Sequence, residues 1–214
     1  MAPGSDSPIE DGRALRRRDE LRANLLRFTD RAFGMLPVQE APRILDLGCG
    51  TGVPTLRLAE ISGGWVVGLD NDRDALGVLK EEAEARGLSD RVETRLGSVE
   101  HVPFPEGSFD VIWCEGAVAV LGFRRSLRSW RRLLNVGGSM VLHDEAGDVE
   151  EKLKIAAGEG FRILGHFEIP AHVWGGEFFG PAEGDPALEA EVQEFRLHPD
   201  RCRSAFFVVQ PRRG

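Results

Sequence analysis

Apolar positions change their period several times along the chain. From Arg13 to Met35, Leu15, Leu21, Leu25, Leu26, Phe28, Ala32 and Phe33 recur on one stripe at helical spacing, with Arg16, Arg17, Arg18, Glu20 and Arg22 largely off it. Pro37 and Pro42 close that segment. Short apolar runs then alternate with longer amphipathic ones. The runs predict strands over 43–47, 65–70, 91–96, 109–114, 139–143, 161–169 and 203–210. The amphipathic stretches predict helices over about 53–61, 72–86, 123–134 and 149–158. Pro54 is tolerated in a first helical turn, Gly87 suits the position just past a helix end, and Asn135 with Gly137 and Gly138 ends the helix over 123–134. Strands alternating with helices specify a mostly parallel, doubly wound α/β sheet with crossover helices on both faces. No standard crossover helix fits between the last two strands, where a Pro/Gly-rich stretch over 170–186 and an acidic one over 187–195 intervene. The last strand is therefore expected to run antiparallel.

The chain has 214 residues, which fits one large domain or one domain with a small lid. Hydrophobic residues make up 42% and charged residues 29%, the balance of a soluble globular protein. No apolar run approaches the roughly 20 residues of a membrane helix. Residues 1–12 read as a mobile polar tail, and Met1 to Asp6 show no secretory signal. The three cysteines, Cys49, Cys114 and Cys202, are far apart, which argues against a disulfide framework and points to a reducing, cytoplasmic setting. No C-x-x-C or H-x-x-x-H pair offers a metal site. The formal net charge is -8, from 35 acidic and 27 basic residues, opposite to that of a protein that wraps nucleic acid. The arginine run Arg13, Arg16, Arg17, Arg18, Arg22 reads as a solvated helix face or a phosphate contact.

One motif carries chemistry most clearly: Asp46-Leu47-Gly48-Cys49-Gly50-Thr51-Gly52, set between a strand and a helix. Glycines let the backbone turn sharply and let a ligand approach it, and the helix that follows presents free N–H groups. The spacing is G-x-G-x-G and differs from the G-x-G-x-x-G of pyrophosphate-binding turns. The next strand ends in Asp70-Asn71, with a carboxylate about 20 residues past the first glycine, where a ribose hydroxyl pair is gripped. The alternative for Asp70 is a cap on the helix starting near Asp72.

These motifs resemble class I S-adenosylmethionine-dependent methyltransferases over residues 43 to 145. Ile44 to Gly52 resembles the first family motif and Val67-Gly68-Leu69-Asp70 the second. Gly97 to Asp110 resembles the exit from the third strand, and Trp130 to Gly138 the helix and turn before the fifth. The wording is most similar to the small-molecule branch that includes ubiquinone and menaquinone methyltransferases. The resemblance implies a Rossmann-like seven-stranded sheet, with residues 1–36 as tail and lid helix and 37–214 as the methyltransferase domain, carrying a substrate-side insertion over 170–200. It implies that S-adenosylmethionine, leaving as S-adenosylhomocysteine, is bound by Asp46, Gly48, Cys49, Gly50, Gly52, Asp70, Asn71, Ser98, Val99 and Glu115. Two departures stand out. Ser98 occupies a position that is commonly acidic in the family, and Asn135-Val136-Gly137-Gly138 replaces Lys-Pro-Gly-Gly.

Methyl transfer from a sulfonium is an in-line displacement on an activated carbon, so positioning can supply roughly 7–11 kcal/mol, and a base is needed only for a protonated acceptor. Ligands of such sheets sit at the carboxyl ends of the strands. That makes Glu115 and His143 the candidate catalytic groups, against a solvated strand-end carboxylate and a structural imidazole. His172, Trp174, Phe178 and Phe179 are candidate acceptor contacts in an apolar lid, against ordinary core burial. The expected partner is a small-molecule acceptor, with neither nucleic acid nor membrane. Competing classes are an NAD(P)-dependent oxidoreductase, opposed by the glycine spacing and by the Tyr count of 0, and a non-catalytic S-adenosylmethionine-binding protein.

Overall fold

The computed structural model describes residues 12–212. The tail read over 1–12 lies, but for its last residue, outside the described residues, as does the side chain of Arg13. The chain runs α1 (Gly12–Ala23), α2 (Leu26–Phe33), β1 (Arg43–Leu47), α3 (Val53–Ser62), β2 (Trp65–Asp70), α4 (Arg73–Ala85), β3 (Val92–Leu96) and β4 (Phe109–Glu115). It continues α5 (Val118–Leu121), α6 (Phe123–Trp130), β5 (Leu134–Glu145), α7 (Val149–Gly158), β6 (Phe161–Ile169), α8 (Ala171–Trp174), α9 (Glu189–Leu197) and β7 (Ser204–Pro211).

The seven strands form one sheet in the order β3-β2-β1-β4-β5-β7-β6. The pairs among β3, β2, β1, β4 and β5 are parallel, and β7 is antiparallel to both of its neighbours, the direction expected for the last strand. Both faces of the sheet are covered, so the strands read as continuous apolar runs. Alternation still sorts them. Leu45, Leu47, Val67, Leu69, Ile112 and Leu142 pack beneath Phe123, Leu127 and Trp130 of α6. Ile44, Val66, Val111, Trp113, Val141 and Phe206 pack on the other face with Ala32, Leu56 and Leu79 of α2, α3 and α4. A third, smaller cluster joins Leu21 and Leu25 to Phe178, Ala182, Leu188 and Val192.

Three predicted elements differ. The helix expected over 13–35 breaks at Asn24 and Leu25, where the Asn24 and Leu25 amides bond three residues back, to Leu21 and Arg22. Asn24 Nδ2 also donates to the Glu177 carbonyl, so the segment over 170–200 shapes the break. Asn135, Gly137 and Gly138 do not end a helix. They lie inside β5, where a bulge between the Phe109–Leu134 and Val111–Ser139 pairs aims the Asn135 amide at Asp110. The acidic stretch left without an element forms α9, held by Val192 and Leu188 in the third cluster.

Candidate functional site

Four neighbouring strands carry the site. By alternation, Asp46 of β1, Asp70 of β2, Glu115 of β4 and His143 of β5 all point to the face covered by α2, α3 and α4. Glu115 and His143 are register partners on adjacent strands.

The loop after β1 holds Gly48, Gly50 and Gly52 at φ of 72°, 54° and 87°. A Cβ on Gly48 would sit 2.4 Å from the Ala117 Cβ, and one on Gly52 would sit 2.2 Å from Leu79 Cδ1. A Cβ on Gly50 would meet nothing within 4 Å, so there the glycine serves only the backbone turn and leaves an open approach. The Gly48 and Cys49 amides bond the Leu69 carbonyl at 2.8 and 3.2 Å. The Gly50 amide donates to Asp70 Oδ2 at 2.8 Å. Gly52→Ala combines a left-handed residue with a clash against Leu79, and is expected to cost at least about 1–2 kcal/mol of stability by urea unfolding. An unchanged midpoint would show that the loop does not need this geometry.

Asp70 Oδ1 accepts from the Asp72 amide at 2.9 Å, while the helix cap itself is Asp72, which accepts from the Asp74 and Ala75 amides. Asp70 is thus not the cap; it pins the glycine loop and keeps a face on the cleft. That cleft has two lobes. One, of about 240 Å³, is lined by Asp46, Gly48, Cys49, Gly50 and Asp70. The other, of about 360 Å³, is lined by Asp70, Asn71, Ser98, Val99 and Ala117. Gly52 stands behind the loop against Leu79 and supports it. Asp46 is buried at the floor of the first lobe, accepts from the Thr55 hydroxyl at 2.6 Å, and has its pKa raised to about 7, chiefly by burial. Val99 sends its carbonyl to Trp130 Nε1 at 2.9 Å, which fixes the wall of the second lobe.

Glu115 faces both lobes and a third, apolar chamber. Its Oε1 accepts from Thr29 Oγ1 at 2.9 Å and from Trp113 Nε1 at 2.8 Å. Its Oε2 lies 3.6 Å from Arg22 Nη2 and accepts no hydrogen bond from the described residues. Burial raises the Glu115 pKa, against the opposing pull of Arg22 and of the Trp113 and Thr29 donors. The chamber is walled by Leu25, Phe28, Pro54, Ile169, Trp174 and Phe206, with His143 beside Glu115. Its free volume, about 10 Å³, holds at most one water. His143 is stacked on Phe206 at 4.3 Å, and its pKa is lowered to about 3 by burial first and by Arg22 second. Its imidazole is therefore neutral. His143 Nε2 meets Ser204 Oγ at 2.8 Å, and Ser204 Oγ accepts from Trp174 Nε1 at 3.0 Å.

The candidate lid residues separate. Trp174 lines the chamber. Phe178 and Phe179 do not; they back Trp174 at 5.9 and 6.4 Å and pack against Leu21 and Leu25. His172 is exposed and is not among the lining residues. Arg22, Thr29, Asp19 and Thr51 were not legible as site residues. Arg22 lines all three spaces, and Thr51 Oγ1 donates to Asp19, tying α1 to the glycine loop. Their signal was the spacing Arg22, Leu26, Thr29, which puts two polar groups on an inner stripe of the N-terminal helices. The described arginines of the run are paired with carboxylates. Arg16 pairs with Glu81 and Glu82, Arg17 with Glu20 and Asp185, Arg18 with Glu191, and Arg22 with Glu115.

Residues 44–138 match the family model of a methyltransferase domain. Methyltransferase GfsG of Streptomyces halstedii is 33% identical over 150 residues, which cover 69% of this chain and 54% of the relative. The ubiquinone/menaquinone biosynthesis C-methyltransferase UbiE of Vibrio parahaemolyticus is 31% identical over 179 residues, which cover 82% of this chain and 64% of the relative. The chain thus spans about half the length of the first of these relatives. Among solved structures, the [4+2]-cyclase SpnF superposes with a TM-score of 0.72 at 23% identity, covering 88% of this chain and 81% of that one, a likeness of fold. Residues 44–138, which carry the glycine loop and Asp70, belong to the methyltransferase domain family, and the chain has relatives of the ubiquinone/menaquinone type.

Proposed function

We propose that this protein transfers a methyl group from S-adenosylmethionine to a small-molecule acceptor by in-line displacement. The observation that carries the reading is the pairing of the glycine loop with Asp70 at the mouth of the two-lobed cleft, where a carboxylate can grip a ribose beside an exposed backbone turn. In this reading Asp46, Gly48, Cys49, Gly50, Gly52 and Asp70 shape the ribose and methionine side, and Asn71, Ser98 and Val99 the adenine side. The cofactor supplies the activated methyl group. The chain's own residues hold it beside Glu115, and the apolar chamber excludes water from the acceptor. The acceptor enters when the N-terminal helices or the segment over 170–200 move, because the chamber is shut in this conformation.

The acidic charge of -8 supports a small molecule over nucleic acid as partner. Among the described residues no helix is long and apolar enough to cross a membrane. A cytoplasmic location is part of the same proposal, resting on three widely spaced cysteines that are all free. The first test is calorimetry with the full chain. S-adenosylmethionine and S-adenosylhomocysteine are expected to bind in the micromolar range, about -8 kcal/mol. Saturable binding of NAD or NADP without either would place the protein among the oxidoreductases. Cofactor binding without transfer to any acceptor would leave a non-catalytic binding protein.

A further inference from the structure

The polar atoms left over in the apolar chamber specify an acceptor group. Ser204 has one hydroxyl proton. Trp174 Nε1 is donor-only, so Ser204 Oγ accepts from it. The acceptor that the described residues offer to the Ser204 proton is His143 Nε2, at 2.8 Å. With the Ser204 hydroxyl donating to Nε2, the neutral ring carries its own proton on Nδ1. His143 Nδ1 has no partner among the described residues. It is not a sealed orphan either, since the buried unpartnered side-chain atom among them is Asn135 Oδ1. Nδ1–H therefore keeps some accessible surface, and the space that His143 lines is the chamber. On the paired residue of the neighbouring strand, Glu115 Oε2 accepts no hydrogen bond from the described residues, since Thr29 and Trp113 both bond Oε1. The chamber wall thus carries, on paired residues of adjacent strands, the His143 Nδ1–H and a Glu115 Oε2 whose neighbour is the Arg22 guanidinium 3.6 Å away, beyond hydrogen-bond reach.

We infer that the acceptor is a hydroxyl on an apolar molecule, methylated on oxygen, with Glu115 Oε2 taking the proton and His143 Nδ1–H bonding the attacking oxygen. The inference rests on the methyltransferase reading above and names its substrate class. Counting lone pairs separates the candidates. A hydroxyl oxygen has two lone pairs, so one meets Nδ1–H while the other attacks, and its proton meets Glu115. A neutral amine has one lone pair, which attack uses up, leaving Nδ1–H unpaired in an apolar site. A thiol is a weak acceptor, and a carbon nucleophile offers His143 no lone pair at the attacking atom. In the step, the O–CH3 bond forms as the S–CH3 bond breaks. The bonding pair stays on sulfur, which becomes a neutral thioether. The hydroxyl proton passes to Glu115 and from there to water in the cleft lobes that Glu115 also lines.

The experiment uses the full chain and methyl-labelled S-adenosylmethionine with phenol and 2-naphthol, the matching arylamines and arylthiols, and a quinol with an open ring carbon. Label is expected in a methyl ether. In parallel, 2-naphthol is expected to bind the S-adenosylhomocysteine-loaded protein at least about tenfold tighter than 2-methoxynaphthalene. That preference should vanish in His143→Phe, which keeps the ring stack and loses the donor, and in Glu115→Gln. Label in nitrogen, sulfur or carbon overturns the inference, as does the lack of label in every acceptor or of a hydroxyl preference in the unsubstituted protein. Should a variant fail to fold, the preference in the unsubstituted protein still decides. If S-adenosylhomocysteine itself does not bind, the methyltransferase reading has failed and the inference falls with it; if it binds without a hydroxyl preference, only the inference has failed.

Discussion

Replacing Asp70 with alanine is expected to weaken S-adenosylmethionine binding by at least about a hundredfold. In the proposed complex the carboxylate accepts from both ribose hydroxyls, and each charge-assisted bond is worth roughly 1.5–3 kcal/mol. Sequence motif and structure give this residue two jobs. Its Oδ2 holds the Gly50 amide and its Oδ1 the Asp72 amide, so alanine also releases the glycine loop from its anchor. Those two bonds are local and solvent-accessible, so the global cost stays near about 1–2 kcal/mol, and the sheet remains folded. Asp70→Asn separates the two jobs. Its amide oxygen still accepts one backbone N–H, but the charge that favours the ribose is gone. Its affinity should fall between those of the alanine variant and the unsubstituted chain. Calorimetry on folded variants checks the order, and an alanine variant that binds within about threefold of the unsubstituted chain would remove Asp70 from the ribose.

The second large effect concerns stability and its dependence on pH. Asp46 is buried beneath the glycine loop, and burial raises its pKa from 3.8 to about 7, although the Thr55 hydroxyl pulls the other way. Glu115 and Asp70 push it up further, and Arg22 offsets part of that. A carboxyl whose folded pKa exceeds its unfolded value binds its proton more tightly in the folded chain. Folding is then favoured below about pH 4, and the contribution is lost as pH rises toward about 7. Asp46→Asn carries no charge at any pH. It is expected to exceed the unsubstituted chain in stability by about 2–4 kcal/mol at pH 8 and to approach it near pH 4. His143 acts with the opposite sign. Its folded pKa of about 3 lies below the ordinary 6.5, so its contribution is full above 6.5 and is lost as pH falls toward 3. The two trends overlap between about pH 4 and 6.5, and His143→Phe isolates the Asp46 limb. Urea midpoints from pH 4 to 8 report both. A gain for Asp46→Asn that does not change with pH would mean that Asp46 stays ionised throughout.

Much of this molecule is set by local sequence. Apolar runs separated by amphipathic stretches give the seven strands, and β7 runs antiparallel because the segment after β6, with α9, packs against Leu21 and Leu25 of the N-terminal segment instead of forming a crossover on the sheet. The glycine loop is legible because its φ values and close contacts exclude side chains, and Asp70 because the next strand delivers it beside that loop. The break at Asn24, the bulge at Asn135 and the helix over Glu189–Leu197 were not legible. Each is decided by a partner far away in the chain: the Glu177 carbonyl, Asp110, and the cluster around Leu21 and Phe178. The same holds within the site. Sequence places Glu115 and His143 at strand ends. Only the fold brings Thr29, Trp113 and Arg22 to the first, and Ser204 and Trp174 to the second. Local patterning determines the backbone conformation of the strands and of the glycine loop. Which oxygen of Glu115 takes the Thr29 bond, and which nitrogen of His143 meets Ser204, follows from contacts made across 86 and 61 residues of chain. No periodicity encodes those partners; they are settled when burial in the packed interior forces each polar atom to find one.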